Sequence, residues 1–328
     1  PAPAPAPVAA APAPAPAPAA APATPVAGDV PAVIVGSGGR IGGMLLKDGD
    51  AAWTSTSGWP SDAPKDGPIY VCTRNDALDD VLARVPRERR GDLVLFQNGM
   101  LETWMAANGL SLGAGGTEVT QVLAYFAVAK LGEAPTDGLT EEDPEGLTAA
   151  TGPWAEEAAA RLRAQGLSCK VLDAPAFRGE MFLKLIWISS VMLVGASRGG
   201  CSVGEVDSEH RGEWAALVRE LVACAEQAPG GLGAGALGDP ERVVARLSAY
   251  SRSVAHFPTA VKEFPWRNGW FHAASRAAVG AWNPDPCPTH SALLAELGVA
   301  DIPAEPEPKA QKFKGSDEGL ADQRRYDW

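Results

Sequence analysis

The stretch VIVGSGGRIGG, residues 33–43, joins a short apolar run of β-branched residues to a turn that contains five glycines. A strand, a glycine-rich turn and then a helix is the order that a dinucleotide-binding unit requires. Glycines let the backbone approach a pyrophosphate, and the N-terminus of the following helix stabilises its negative charge. The stretch therefore predicts that the folded part of the chain begins with such a unit, although a plain glycine turn is the alternative.

The spacing of these glycines fits the GxGxxG fingerprint in two imperfect ways. Gly39 and Gly42 match the second and third glycines if Ser37 takes the first place, whereas Gly36 and Gly38 match the first two if the third comes one residue late. Both alignments remain open from the sequence. The predicted cofactor-binding residues of the turn are Gly36, Ser37, Gly38, Gly39, Arg40, Ile41 and Gly42.

Apolar runs and helical segments alternate downstream of the turn. A helix is predicted from Arg40 to Lys47, and another, with Asn75 as its cap, over 75–85. The predicted strands are VPAVIV (30–35), an irregular AAWTSTS (51–57), PIYVCT (68–73), DLVLFQNG (92–99) and the long run EVTQVLAYFAVAK (118–130). Strands that alternate with short helices predict a parallel sheet.

The pattern becomes helical after Gly152. Helices are predicted over 154–165, 177–196, 207–227, 240–256, 266–278 and 289–297. The predicted fold class is therefore α/β, with an N-terminal Rossmann-like parallel-sheet domain over 29–175 and an all-helical C-terminal domain over 176–300. Residues 1–28 are predicted to form a disordered Pro/Ala-rich tether, and residues 301–328 a polar tail.

Composition limits the partners and the compartment. The net charge of −12 argues against nucleic acid or an anionic membrane as the main partner. Five dispersed cysteines without a CxxC pair predict reduced thiols inside a cell, and four histidines without ligand spacing predict no metal. The Pro/Ala-rich start without Met suggests a processed protein of a chloroplast or another organelle, with the cytoplasm as the alternative.

The stretch FLKLIWISSVMLVGA, residues 182–196, is apolar except for Lys184. It is shorter than the roughly 20 residues of a bilayer span, so a buried core helix without membrane insertion is predicted. A buried lysine must lose its charge, find a partner or take part in chemistry. A structural ion pair with Glu180 and a side chain that reaches solvent are the alternatives to a functional role.

Four stretches together resemble the ketopantoate reductase family: the glycine turn 36–43, FQNGM (96–100), the helix of Lys184, and EFPWRNGWF (263–271). The resemblance covers roughly residues 30–298. It implies a Rossmann domain followed by a helical domain, NADP as cofactor, and reduction of a small 2-keto acid or related carbonyl by hydride transfer.

The same resemblance implies roles for individual residues. Lys184 would orient the keto acid and take part in its protonation, and Glu263 would contact the ligand and keep Lys184 charged by pairing with it. Asn98 would lie near the nicotinamide, and Arg74 would face the cofactor phosphate. Asn268, in the Asn-Gly pair five residues after Glu263, is a predicted substrate contact.

Two departures from the family pattern concern the ligands. Ile188 and Met192 stand where the family carries substrate-binding asparagines, which leaves Ser189 beside the first and Thr259 as further predicted substrate contacts. The second strand ends Trp53-Thr54-Ser55-Thr56-Ser57, without the acid that binds a ribose hydroxyl or an arginine for a 2′-phosphate. Ser55, Ser57 or Arg74 could hold that phosphate, which favours NADP.

Three functions are consistent with the sequence. The first is an NADP-dependent oxidoreductase. The second is a catalytically impaired, reductase-derived subunit or adaptor of a larger assembly, suggested by the imperfect fingerprint and the missing asparagines. The third is a nucleotide sensor without turnover. A homodimer and a larger protein complex are both open.

Overall fold

The structure is a computed structural model that describes residues 28–54 and 57–304. The predicted tether, apart from Gly28, and the predicted tail from residue 305 lie outside the described residues. Ser55 and Thr56, at the end of the predicted second strand, lie outside them as well.

Nine strands form within the described residues. They are β1 (Val33–Val35), β2 (Ala51–Trp53), β3 (Ile69–Val71), β4 (Leu93–Leu95), β5 (Leu110–Ser111), β6 (Thr117–Glu118), β7 (Thr120–Leu123), β8 (Ala149–Thr151) and β9 (Lys170–Val171). Seven of them form one sheet in the order β2-β1-β3-β4-β7-β8-β9, and β5 pairs with β6 in a small second sheet. The pairs of the large sheet are parallel except for β7 with β8.

Ten α-helices form within the same residues. They are α1 (Arg40–Leu45), α2 (Leu78–Arg84), α3 (Glu102–Ala107), α4 (Ala155–Arg163), α5 (Ala174–Ser197), α6 (Val203–Ser208), α7 (Arg211–Gln227), α8 (Pro240–Ser253), α9 (Asn268–Gly280) and α10 (Pro288–Glu296). The first four accompany the sheet, and the last six form a helical part around α5. The predicted fold class is confirmed.

The large sheet is buried on both faces, which explains why its central strands are continuous apolar runs. In β1, Val33 and Val35 pack into one apolar cluster, whereas Ile34 packs into another on the opposite face. Tyr70 of β3 and Val94 of β4 join Ile34. Because β1, β3 and β4 are parallel neighbours, their carboxyl ends lie at one edge of the sheet. The glycine turn after β1 and the residues that follow β3 and β4 meet at this edge.

The helical part is built around the 24-residue helix α5. Asp173 caps this helix by accepting a hydrogen bond from the backbone N–H of Ala176 at 2.9 Å. By length and composition α5 could cross a membrane, but 78% of its most apolar window is buried within the protein. The apolar residues of α5 form one core with those of α7 and α8, so its surroundings are those of a core helix.

Several predicted boundaries were wrong for local reasons. Within the run 118–130, strand forms at Glu118, the end of β6, and over Thr120–Leu123. The predicted helix 207–227 begins within α6, whose start is fixed by a capping box of Ser202 and Glu205, and continues as the separate helix α7 from Arg211. Asn75 does not cap the helix after β3; its amide donates to the backbone oxygen of Asn98 at 2.9 Å.

Candidate active site

The glycine turn after β1 resolves the ambiguity of the fingerprint. Gly36 has a φ of +80°, and its carbonyl oxygen accepts a hydrogen bond from the Gly39 N–H at 2.8 Å. Gly42, in the first turns of α1, packs so closely on Gly36 that a Cβ there would overlap that carbonyl. Gly36 and Gly42 therefore take the first and last glycine roles, and the turn is one residue longer than GxGxxG.

Gly38, at the tip of this turn, supplies the open surface that a pyrophosphate needs. It is exposed, and no atom lies within 4 Å of the position of a Cβ. Ser37, by contrast, is buried. The exposed backbone at Gly38 and Gly39 fits a cofactor that is bound through its phosphates.

The residues that follow β2 and β3 lie where the adenosine of a cofactor would bind, and they include the cation Arg74. Beyond β2, the backbone N–H of Thr54 donates to Ser57 Oγ at 3.0 Å and the Trp53 indole N–H to the Ser57 carbonyl at 3.1 Å, so Ser57 closes a local turn. Arg74, which follows β3, is 79% exposed and is paired with Asp76. A 2′-phosphate at Arg74 would therefore compete with the Asp76 carboxylate.

Asn98 and Gly99 join the sheet to the helical part. Gly99 has a φ of +100° and packs against the carbonyl of Trp266, so a side chain there would overlap that oxygen. The next N–H, that of Met100, donates to the same carbonyl at 2.6 Å. This contact brings the segment that contains Glu263 to the end of β4, and Glu263 itself has the left-handed φ of +50°.

A cleft of about 290 Å³ lies where these elements meet. It unites five of the predicted site residues, from the glycine turn, the strand ends and the helical part: Arg40, Ile41, Arg74, Asn98 and Glu263. Gln97, which sequence reasoning did not select, also lines it and donates to the backbone oxygens of Val71 and Thr73 at 3.0 and 2.9 Å. A polar residue directly after an apolar strand was the signal that could have identified Gln97.

Lys184 is 5% exposed and lies on α5 beneath the end of β7. Its ammonium group donates to the carbonyl oxygen of Ala124 and lies 4.6 Å from the ring centroid of Tyr125. Burial, and to a smaller extent the nearby Arg267 guanidinium, together lower the pKa of Lys184 to about 7. Lys184 therefore exchanges its proton near neutral pH.

The predicted pairing of Glu263 with Lys184 was wrong. Glu263 accepts a hydrogen bond from Arg267 at 2.5 Å, one turn along the chain. The structural alternative, a pair between Lys184 and Glu180, is not formed either, because Glu180 binds Arg246 at 3.0 Å. The Lys184 ammonium is stabilised by a carbonyl and an aromatic face instead of a carboxylate.

The three predicted substrate contacts lie inside the helical part. Ser189 is fully buried, and within the described residues its hydroxyl has no hydrogen-bond partner. Thr259 donates to the Cys201 carbonyl at 2.5 Å, and the Asn268 side-chain oxygen is 2.9 Å from His290 Nε2. The structure does not bring these three side chains into the cleft.

Two buried tyrosines that the sequence analysis did not select, Tyr125 and Tyr250, lie on the Lys184 side of the helical core, and Tyr125 contacts Lys184 directly. The rings of Tyr125 and Tyr250 contact edge to face, with centroids 4.8 Å apart. Tyr125 follows β7 and Tyr250 lies on α8, so only the packed fold brings them together. In the described residues no group of three or more His, Cys, Asp or Glu side chains has the arrangement of a metal site.

Several solved structures with this architecture are reductases and dehydrogenases. A D-mandelate dehydrogenase in a ternary complex with NADH and anilino(oxo)acetate aligns with 82% of this chain and 99% of its own, at 13% identity and a TM-score of 0.54. The 2-dehydropantoate 2-reductase of Methylococcus capsulatus aligns with 77% of this chain and 80% of its own, at 17% identity and a TM-score of 0.54. A dimeric ketopantoate reductase from Staphylococcus aureus aligns with 82% and 99%, at 15% identity and a TM-score of 0.53.

These similarities show that the chain has the ketopantoate reductase fold, as the sequence motifs predicted. No protein-family model matches the sequence, and no curated protein matches it. At 13–17% identity the shared fold does not by itself carry over an activity.

Proposed function

We propose that this protein is an NADP-dependent oxidoreductase that reduces a 2-keto acid or a related carbonyl by hydride transfer. The observation that carries the proposal is the cleft that joins the glycine-turn helix, the ends of β3 and β4, and Glu263 of the helical part. In open α/β sheets, ligands bind at such crevices beyond the carboxyl ends of the strands.

Cofactor and substrate roles would be shared between residues of the cleft, the glycine turn beside it, and Lys184 of α5, which does not line the cleft. The turn from Gly36 to Gly39 would bind the pyrophosphate through its backbone, and Arg74 the 2′-phosphate. Asn98 would lie beside the nicotinamide, which, when bound in its reduced form, supplies the hydride. Lys184 would donate a proton to the keto oxygen as it gains negative charge.

The environment of Lys184 supports this role. An ammonium group has three donors, and the Ala124 carbonyl accepts one of them. With its pKa lowered to about 7, Lys184 holds a proton below that pH and gives it up readily near it. A group whose pKa is close to the working pH is an efficient general acid.

A titration with cofactor tests the first half of the proposal. A ligand present at 100 times its Kd stabilises the folded state by about 2.7 kcal/mol, so saturating NADPH is expected to raise the unfolding temperature measurably. NADH serves as the comparison, and Arg74→Gln is expected to weaken binding of NADPH much more than that of NADH. An equal loss of affinity for NADPH and NADH in this variant would contradict the assignment of the 2′-phosphate to Arg74.

The second half is tested by consumption of NADPH in the presence of 2-keto acids. Lys184→Met is expected to lower kcat by about 10²- to 10⁴-fold while cofactor binding is retained, because the proton donor is lost and the pocket keeps its shape. Lys170→Met is a matched control, since Lys170 is a partly exposed lysine on β9. Full turnover by Lys184→Met would contradict the role of Lys184.

One observation favours a second candidate, a reductase-derived subunit without turnover. The cleft, at about 290 Å³, lies just below the roughly 300–1,000 Å³ that is usual for ligand sites. This candidate predicts no thermal shift with NADPH or NADH and isolation within a large complex. A monomer or homodimer with turnover would contradict it.

A further inference from the structure

Arg40, the first residue of α1, is bonded to a hairpin that follows β7. Residues 127–136 form this hairpin, and its two ends are joined by backbone hydrogen bonds of 3.0 and 2.8 Å. The Nη1 group of Arg40 donates to the carbonyl oxygens of Val128 and Ala129 at 3.0 and 3.3 Å. One side chain therefore connects the hairpin to the glycine turn.

The hairpin contacts α1 at a second point. Leu131, at its tip, has its Cδ1 atom 2.9 Å from the position that a Cβ on Gly43 would take, so the tip lies directly against α1. Val128 is 5% exposed and packs into the protein beside Arg40. Because the hairpin is attached to α1 at both Arg40 and Gly43, it fixes the orientation of the Arg40 guanidinium.

The fixed guanidinium has one edge without a partner. Arginine has five N–H donors, and the contacts with the two carbonyls use those of Nη1. Within the described residues, no acceptor lies in hydrogen-bond range of Nε or Nη2. Arg40 is exposed and lines the cleft. The Nε–Nη2 edge presents two parallel donors, which match two oxygens of a phosphate group.

The charges of the cleft also favour an anion at Arg40. The charged residues that line the cleft are Arg40, Arg74 and Glu263. Arg74 pairs with Asp76, and Glu263 pairs with Arg267. Arg40 has no carboxylate partner in the part of the chain that the structure describes. It is therefore the lining cation whose charge is left for a ligand.

We propose that Arg40 binds the diphosphate of the cofactor through its Nε–Nη2 edge, and that the hairpin positions it for this contact. This inference rests on the proposed function, in which the diphosphate lies at the turn directly before Arg40. The binding group is the guanidinium and not the end of the short helix α1. Because NADPH and NADH share the diphosphate, both are expected to depend on Arg40, whereas the role proposed for Arg74 concerns NADPH alone.

The first test is calorimetry of NADPH and NADH binding to the full chain. Arg40→Gln is expected to weaken binding of both cofactors by about 10- to 100-fold, the range for hydrogen bonds to a charged group. Arg40→Lys keeps the charge but lacks the two parallel donors, so an intermediate loss is expected. Arg242→Gln is the matched control, since Arg242 is an exposed arginine on α8. Unchanged affinity for both cofactors in Arg40→Gln would overturn the inference.

A second measurement distinguishes direct contact from support of the fold. The arginine Nε–H groups are observed by ¹⁵N NMR, and the resonance of Arg40 is identified by its absence in Arg40→Gln. Addition of NADPH is expected to shift this resonance and to slow the exchange of its proton with water, because the N–H becomes bonded to a phosphate oxygen. A resonance that does not respond while NADPH binds would overturn the contact.

Limited proteolysis tests the role of the hairpin. Trypsin cleaves after lysine, and the Lys130 side chain at the tip of the hairpin is 81% exposed. NADPH is expected to slow cleavage at Lys130 in the wild type but not in Arg40→Gln, because the guanidinium connects the cofactor to the hairpin. Cleavage at Lys65, an exposed lysine in the loop between β2 and β3, is the reference. Equal protection of Lys130 in both proteins would overturn the role of the hairpin.

The same titrations separate this inference from the proposed function. A wild-type protein that binds neither NADPH nor NADH would contradict the proposed function, and this inference with it. A wild-type protein that binds a cofactor as tightly as Arg40→Gln does would overturn this inference alone.

Discussion

Glu263 forms its ion pair with Arg267, at 2.5 Å between Oε2 and Nη2, and among the described residues Lys184 has no carboxylate partner. Arg267, whose side chain is 13% exposed, and Lys184 are thus two cationic groups close enough to repel each other. Burial lowers the pKa of Arg267, and the attraction of Glu263 offsets part of that shift. The result is a local excess of positive charge beside the proposed keto group, which suits an anionic substrate.

The pH dependence of turnover follows from this arrangement. The pKa of Lys184 is lowered to about 7, first by burial and then by Arg267. Because the proton donor must be charged, kcat is expected to be highest below pH 7 and to fall as the pH rises through that value. Arg267→Leu removes the repelling cation, so the falling limb is expected to move to higher pH.

The pH profile of kcat checks this prediction, and an NMR titration of the lysine ε-carbon checks it without turnover. Arg219→Leu is the control, since Arg219 pairs with Glu241 on the surface, with 44% and 63% of the side chains exposed. An unchanged limb in Arg267→Leu would mean that burial alone sets the pKa of Lys184.

Lys184 is also expected to make stability depend on pH. Its pKa is lower in the folded than in the unfolded protein, so the unfolded chain binds more protons between about pH 7 and the ordinary lysine value. The cost of burying Lys184 is therefore complete below pH 7 and shrinks as the pH rises above it. Lys184→Met is expected to be more stable than the wild type, with the largest gain below pH 7, as measured by urea unfolding at several pH values. A gain that does not change with pH would contradict the shift.

Substitutions at two glycines of the turn are expected to affect different properties, cofactor binding at Gly38 and folding at Gly42. A methyl group at Gly38 meets no atom within 4 Å, whereas one at Gly42 overlaps the Gly36 carbonyl. Gly38→Ala is therefore expected to keep its stability but to bind NADPH about tenfold more weakly, as expected for loss of one hydrogen bond to a charged phosphate. Gly212→Ala, at another open position, is the control. Unchanged affinity in Gly38→Ala would argue against a pyrophosphate at this turn.

Gly42→Ala is expected to affect folding. The helix α1 would have to move away from Gly36, and overpacking of this kind costs about 1–3 kcal/mol. Urea unfolding of Gly42→Ala beside Gly38→Ala measures the difference. Equal stability of the two variants would mean that the turn adapts and that Gly42 does not fix the packing of α1 on β1.

The features that were predictable from the sequence are those with local causes. The strand–turn–helix order at 33–43 and the Asn98-Gly99 turn depend on neighbouring residues, and the structure has both. Strand β8 has the sequence AAT and no β-branched run, so its formation depends on pairing with β7 and β9. The partner of Glu263 was mistaken because a closer cation, Arg267, competes with Lys184, and sequence order alone does not rank such contacts.

The buried ion pair of Asp50 and Arg161 also escaped the sequence analysis, because it joins the loop before β2 to α4 across more than a hundred residues. Arg161 Nη1 lies 2.7 Å from Asp50 Oδ2, with 2% and 0% of the side chains exposed. Asp50 also accepts hydrogen bonds from the backbone N–H groups of Ala32 and Lys47 at 2.9 and 3.1 Å. The two carboxylate oxygens of Asp50 can accept all of these hydrogen bonds, and their negative charge pairs with the buried charge of Arg161.

Asp50→Asn is expected to lower the free energy of unfolding by about 3–5 kcal/mol, because the buried guanidinium of Arg161 loses its counter-charge. The new amide N–H₂ group would also point at N–H groups that donate to Asp50 in the wild type. Arg219→Gln, which breaks the exposed pair with Glu241, is expected to change stability far less, because solvent screens this pair. Urea unfolding of the two variants measures both values. Similar, small losses of unfolding free energy in the two variants would show that Arg161 finds other acceptors. One such acceptor is the Val30 carbonyl, which it already contacts at 2.6 Å.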